Sequence, residues 1–220
     1  MTIELKKRIF TSFILLSLLT GMYIYSFIMI ISLIVIAMII WIEFYALISK
    51  IIKENSTKGK FLRFLYKTIS LFYLSSIVYF IFMIESNYHS LKIYLLYSIL
   101  VAVMSDIGGL AFGKTFKGKK LTKISPNKTI AGVLGSFIFS LILIPLFFDE
   151  LIKYNLPLLI LITMVISLTS QLGDLFISYI KRKAQVKNTS DILPGHGGFL
   201  DRTDGIIFAI PMGMLLFNLY

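Results

Sequence analysis

Three carboxylates stand where carboxylates are rare. Glu43, Asp106 and Asp174 each lie inside an apolar run. An acid within a hydrocarbon segment is costly and marks a functional position by default. Asp174 carries the most information. In "SQLGDLFISYIKRK", Gln171, Asp174, Ser178 and Lys181 recur at helical spacing and share one face. Such a polar stripe belongs against other helices or a wet cavity, not against lipid. Asp106 sits in "MSDIGGLAFGK", ahead of Lys114. There Gly109 and Gly113 are spaced as a small-xxx-small pair, which lets two helices approach closely. Glu43 follows Trp41 near the end of its run, and the simplest expectation is that it snorkels or pairs with a lysine.

Two polar stretches complete the set. In "ISPNKTIAG", Ser125 is placed to cap a helix whose first residue is Pro126. A helix start with Lys128 beside it is a natural cradle for phosphate. In "ILPGHGGFLDRTDG", Pro194, Gly195, Gly197 and Gly198 exclude a regular helix and let backbone N–H groups come close to an anion. Asp201 and Asp204 are three apart, so they share a face if a helix starts there. Together with Asp174 they offer the carboxylate oxygens that Mg2+ takes. His196 is the histidine nearest this chemistry, and on its own reads as a loop hydrogen bonder. Acids for a hard cation, cations for phosphates and glycine turns point to a polyphosphate meeting a lipid, in a reaction governed by positioning and charge neutralisation.

The elements that must position these residues are membrane helices. Apolar residues make up 57% of the 220 and charged residues only 15%, which is far outside the soluble range. Seven runs approach the roughly 20 residues that cross a bilayer. They lie at 9–25, 27–49, 66–85, 93–113, 130–148, 157–180 and 205–220, the first and last being short. The expected fold is an all-α integral membrane protein: a polytopic bundle of about seven transmembrane helices around a cytoplasm-facing polar cavity. With the N-terminus in the cytoplasm, the segments 1–8, 50–67, 114–129 and 181–204 hold 20 of the 22 Lys and Arg; only Lys92 and Lys153 fall elsewhere. This sorting follows the positive-inside rule. It accounts for the net charge of +11 without a nucleic-acid partner. Lys6, Lys7 and Arg8 before the first run suggest an uncleaved first helix. The stretch "ENSTKGK" (54–60) is expected to be a polar loop. Cysteine is absent, so neither disulfides nor thiolate metal sites arise.

The residues Ser178–Asp204, "SYIKRKAQVKNTSDILPGHGGFLDRTD", resemble the signature of the phosphatidate cytidylyltransferases, or CDP-diacylglycerol synthases. Its pattern is close to S-x-x-K-R, four residues, K-D, then P-G-H-G-G, x-x-D-R and x-D. Ser178, Lys181, Arg182, Lys187, Pro194, Gly195, His196, Gly197, Gly198, Asp201, Arg202 and Asp204 match it. The blocks "SDIGGLAFGK", "SPNKT" with Gly132, and "QLGDL" resemble further parts of the family in the right order. The likeness covers about residues 100–220. Residues 1–100 match only as hydrophobic spans, and 101–220 would form the catalytic region of one continuous membrane domain. Two positions depart: Ile177 stands where the family has Glu, and Asn188 where it has Asp.

The resemblance implies CMP transfer from CTP to phosphatidic acid, giving CDP-diacylglycerol and pyrophosphate, with Mg2+ alone or beside a second cation. It implies that Asp174 and Asp201 hold the metal centre, with Asp204 and Asp106 in support. Lys181, Arg182, Lys187 and Arg202 would bind the triphosphate or the phosphatidate head. Ser178, Gly195, His196, Gly197, Gly198, Ser125 and Lys128 would line the substrate site. The implied location is a bacterial inner (plasma) membrane with the site facing the cytoplasm. Two alternatives stay open: a related CTP-dependent enzyme on another lipid phosphate, such as an isoprenoid one, and a non-catalytic membrane or transport protein on the same scaffold. Nothing in the residues decides between a monomer and a homodimer. A transporter would favour two related halves, and no internal repeat is evident. The D-G-x-x-A-R block of the CDP-alcohol phosphatidyltransferases is absent.

Overall fold

A computed structural model describes residues 3–53, 56–116, 118–122, 125 and 128–219. Among these the regular elements are helices: α1 (Ile3–Ile24), α2 (Ser26–Ile51), α3 (Thr57–Asn87), α4 (Lys92–Phe116), α5 (Ile130–Leu141), α6 (Leu143–Leu146), α7 (Leu156–Lys183), α8 (Leu200–Thr203) and α9 (Ile206–Leu219), with a 3-10 turn at His89–Leu91. No strand occurs among the described residues, only two isolated bridges, Lys120 with Thr129 and Leu193 with Gly197. Four helices, α2, α3, α4 and α7, are long and apolar enough to cross a membrane by length and composition. The protein is therefore an all-α membrane protein, as its composition demands.

Each of the seven expected runs falls on helix, with instructive differences at the edges. The span expected at 130–148 is broken into α5 and α6. Pro145 lacks an N–H and its ring crowds the carbonyl of the residue four before it, so the regular ladder cannot run through. The Ile142 N–H turns back to Phe139 O at 3.3 Å instead. Helix α3 begins at Thr57, so the expected loop at 54–60 is corrected: Thr57 to Lys60 are helical, and residues 54 and 55 lie outside the described set. The Ser56 hydroxyl accepts the Gly59 N–H at 3.1 Å, a cap that turns this polar stretch into a helix start.

The chain divides into two compact units, 1–87 with 180–203 and 88–179 with 204–220. In the first unit, α2 buries Ile40, Glu43, Leu47 and Ile48 on one face. Arg63 of α3 donates to Ile52 O at 2.5 Å and Ser49 O at 2.7 Å, satisfying carbonyls that the end of α2 leaves open. The Trp41 indole donates to Lys67 O at 3.1 Å, and the Lys67 ammonium lies over the Trp41 and Tyr45 rings.

The second unit is built on close helix contacts. A Cβ on Gly109 would meet Ser136 Oγ at 2.8 Å, one on Gly132 would meet Gly109 O at 2.9 Å, and one on Gly135 would meet Gly108 O at 2.6 Å. The small-residue spacing expected on α4 thus finds its partner in small residues of α5. Ser136 Oγ donates across this seam to Ser105 O at 2.7 Å. A buried cluster around Tyr97, Val101, Leu159, Ile162, Ile166 and Phe217 forms the apolar core. Two hydroxyls there are satisfied, Tyr97 with Thr163 Oγ1 at 2.6 Å and Tyr154 with Phe217 O at 2.7 Å.

Candidate functional site

In the second unit, α7 carries Asp174 and Ser178 one turn apart. The Ser178 hydroxyl donates to Asp174 Oδ1 at 3.2 Å. The other oxygen, Oδ2, pairs with the Lys128 ammonium. Both side chains of this pair are about a quarter exposed, at 25% each, so the pair is open to a ligand. Asp106 of α4 lies close enough to feel the charges of both Asp174 and Lys128. Asp106 and Asp174 thus come from different helices of the same unit, and Asp174 is the one paired with Lys128. The stripe continues inward, with Gln171 donating to Ser167 Oγ at 3.3 Å and Ser167 to Ser105 Oγ at 3.0 Å. Ser170 Oγ is buried without a hydrogen-bond partner among the described residues.

Lys128 reaches this position by a route the sequence did not suggest. The cap of α5 is Thr129, not Ser125: Thr129 is extended and its hydroxyl accepts the Gly132 N–H at 3.0 Å. Both residues are good cap types. The bridge between Lys120 and Thr129, with the Lys128 N–H bonded to Ser125 O at 3.1 Å, holds this segment out of the helix. The expected first helical residue, Pro126, lies outside the described residues. Lys128 therefore stands immediately before the cap. Asp204 is buried and accepts the Gly205 N–H at 3.0 Å. The backbone there runs tight against α7, since a Cβ on Gly173 would meet Asp204 O at 2.7 Å.

In the first unit, α7 ends where Gln185 adopts a left-handed φ of 57° and the Val186 N–H returns to Lys181 O at 3.0 Å. The glycine-rich stretch then closes on itself. Gly195 and Gly197 take φ of 78° and 85°, and Leu193 exchanges two backbone hydrogen bonds with Gly197, at 2.8 and 3.0 Å. Side chains disfavour these φ values, so both positions require glycine. Lys181 Nζ lies 2.6 Å from Asp201 Oδ1. Asp201 Oδ2 accepts from Thr189 N at 2.8 Å, Thr189 Oγ1 at 3.0 Å and Gly198 N at 3.1 Å. Burial pushes the Asp201 carboxyl up, but the Lys181 ammonium and the two amides outweigh it and hold the group below the usual carboxylate range.

Arg202 donates Nε and Nη2 to His196 O at 2.9 and 2.5 Å. Its guanidinium therefore shapes the turn as well as offering charge. His196 Nδ1 is buried and has no hydrogen-bond partner among the described residues. Arg182 and Lys187 are exposed at the mouth of this segment. Ile177, where the family pattern has an acid, is 1% exposed, whereas Asn188 is exposed.

The structure thus brings Asp174, Ser178, Lys128 and Asp106 together in one unit, and Lys181, Asp201, Gly197 and Gly198 in the other. Among the described residues no group of three or more His, Asp or Glu gathers as a metal cage. Asp174 still fits Mg2+. Its donors are hard oxygens, a cation already sits on it as the Lys128 ammonium, and Mg2+ is commonly bound by one or two carboxylates plus substrate phosphates. At Asp201 a metal would have to displace Lys181.

One residue departs from its simplest reading. Glu43 is 2% exposed, and its described partners are hydroxyls and amides of the 189–200 segment rather than a lysine. The signal was present: Glu43 lies three after Ile40 and four before Leu47, on the buried stripe of α2. Thr11 of α1, 3% exposed, donates to Pro194 O at 2.9 Å on the same segment.

The described residues form a helical membrane protein with a closed glycine turn and two lysine–carboxylate pairs. The chain belongs to the Cytidylyltransferase family, whose model it matches over residues 2–220. It is similar to the phosphatidate cytidylyltransferase of Staphylococcus haemolyticus (strain JCSC1435), with 46% identity over 122 residues, 54% of this chain and 46% of the relative. Against the protein of the same name from Staphylococcus aureus (strain COL) the identity is 42% over 148 residues, 64% of this chain and 56% of the relative. The chain spans about half the length of the curated relatives it matches.

Proposed function

We propose that this chain is a phosphatidate cytidylyltransferase. A phosphate oxygen of phosphatidic acid attacks the α-phosphorus of CTP. The bond from that phosphorus to the bridging β-oxygen breaks, and CDP-diacylglycerol and pyrophosphate result. The nucleophile is already anionic, so no strong base is required. The observation that carries this reading is the signature segment itself. It folds into a closed turn whose Asp201 is locked to Lys181 of α7, with the names of the relatives in support.

In this reading the exposed Arg182 and Lys187 capture phosphates, and Lys181 and Arg202 complete their neutralisation while keeping the turn in shape. The turn of Gly195, His196, Gly197 and Gly198 borders the nucleotide, and His196 Nδ1 has a hydrogen bond to offer it. Asp174 would hold Mg2+, with Asp106 and Asp204 of the same unit as further carboxylates. Bound there, Mg2+ would neutralise the phosphates and polarise the α-phosphorus. Lys128 would leave Asp174 for a substrate phosphate. The protein would act in a bacterial plasma membrane with this chemistry on the cytoplasmic side.

Labelled CTP offered with phosphatidic acid or with an isoprenoid monophosphate tests the lipid. The expected result is label in the lipid phase with phosphatidic acid alone. Label only with the isoprenoid phosphate would overturn the assignment.

A further inference from the structure

Glu43 is an acid on the buried face of an apolar helix, and everything described around its carboxylate is a donor. Oε1 accepts from Ser190 Oγ at 2.5 Å and from Phe199 N at 3.1 Å. Oε2 accepts from Thr189 Oγ1 at 2.9 Å and from Leu200 N at 2.8 Å. Each oxygen therefore takes one hydroxyl from the start of the segment and one backbone amide from its end. The carboxylate ties the two ends of the glycine-rich turn to each other and to α2. Two of these partners are backbone N–H groups, which can only donate, and they lie one on each oxygen, so the place calls for an acceptor at both positions, as a carboxyl group supplies.

Two details show how tight the clasp is. A Cβ on Gly198 would lie 2.5 Å from both Glu43 oxygens and would also strike Thr189 Oγ1. Gly198 is thus small because Glu43 must pass it, and not because of its φ. Thr189 also lies within hydrogen-bond distance of Asp201, its hydroxyl 3.0 Å from Oδ2. A hydroxyl has one proton, so Glu43 and Asp201 share it. Gly198 N and Thr189 N meanwhile bind Asp201 Oδ2. The two carboxylates grip the same two ends of the turn, and Asp201 hands the constraint on to Lys181.

We propose that Glu43 is a positioning residue for nucleotidyl transfer: from α2 it holds the ends of the 189–200 turn, and so sets Asp201 and Lys181 for the CTP phosphates without touching substrate. The catalytic half of this statement rests on the function proposed above; the clasp itself does not.

Glu43→Gln is the discriminating variant. An amide has one oxygen, and each Glu43 oxygen faces a backbone N–H. Whichever way the amide turns, its NH2 group opposes either Phe199 N–H or Leu200 N–H. Ser190→Ala is the milder companion, since it removes one hydrogen-bond partner and leaves Glu43 with three. Hydrogen exchange of the full-length protein in detergent is measured beside CTP and phosphatidate kinetics. For Glu43→Gln the expected result is exchange faster by about tenfold or more at the amides of 189–201, with α4 and α5 unchanged. KM for CTP should rise by about tenfold, with KM for phosphatidate changed less than about threefold. Ser190→Ala should move the same quantities in the same direction by less.

Exchange and KM at wild-type values in Glu43→Gln would overturn the proposal. So would exchange that rises equally in every segment while KM for CTP stays put, since that describes a merely structural carboxylate. A wild type that makes no product refutes the cytidylyl reading and the catalytic half with it. Loosening confined to 189–201 would then uphold the clasp alone.

Discussion

Asp201 and Ile177 show opposite ways in which a site is written into single residues. Asp201 is an acid whose charge is held by an ammonium, a hydroxyl and two amides. Replacing it with Asn removes the charge and leaves Lys181, 13% exposed, facing an amide. The expected cost is about 3 kcal/mol, in the range for breaking a largely buried pair, read as a fall in the detergent melting temperature. The pH dependence has a definite sign. The folded carboxyl lies below its unfolded value of about 3.9, so its contribution is complete above that pH and fades as pH falls through the lower folded value. The gap between wild type and Asp201→Asn should be flat from about pH 5 to 8 and close only below about pH 4. A gap that closes near neutral pH would contradict the assignment. Ile177 is the reverse case. At 1% exposure it has no room for an unpaired charge, so Ile177→Glu is expected to lower stability by several kcal/mol, on the order of 3, with no gain in turnover. Asn188 is exposed, so Asn188→Asp should stay within about 0.5 kcal/mol of wild type. A stable, more active Ile177→Glu protein would show that this position still belongs to the metal site.

Helix pairing decides whether such residues meet. The α4–α5 seam depends on glycines that leave no space for a side chain, with Gly108 and Gly135 in direct backbone contact. Gly135→Val is expected to force the helices apart, cost about 2–3 kcal/mol by overpacking, and weaken the approach of Lys128 to Asp174. Melting temperature and turnover should fall together; unchanged values would mean that the seam is loose. At this scale the limits of sequence reading are physical. The Gly109 and Gly113 spacing was legible because close packing needs small residues at a fixed period. The α7 stripe was legible because Asp174 and Ser178 had to be one turn apart. The α5 cap was not, because Ser125 and Thr129 are both good caps and the choice fell to a bridge with Lys120. The clasp at Glu43 is not legible, because an acid near the end of an apolar run points to a lysine, whereas its partners are hydroxyls and amides about 150 residues downstream, at separations such as 146 and 157.

The whole molecule is legible chiefly through its hydropathy and charge. Apolar runs located the helices to within a few residues in most cases, and the sorting of 20 of 22 basic residues predicts a cytoplasmic N-terminus. The absence of cysteine makes that orientation easy to test. In sealed cells, Lys153→Cys should react with a membrane-impermeant maleimide and Lys187→Cys should not; the reverse pattern would invert the topology. The division into two compact units was not foreseen, because hydropathy reports that a segment is buried in lipid or protein but not which helices share a core. The two halves of the signature fall in different units, Ser178 and Asp204 in one and the residues from Lys181 to Arg202 in the other.

Product formation by the purified protein in detergent, with CTP, phosphatidic acid and Mg2+, tests the central claim most directly. Asp174→Asn and Asp201→Asn serve as controls. The assigned activity predicts CDP-diacylglycerol and pyrophosphate in equal amounts from the wild type and at least about a hundredfold less from either variant. Folded wild-type protein that yields no CDP-diacylglycerol, or an Asp174→Asn variant that turns over normally, would contradict it.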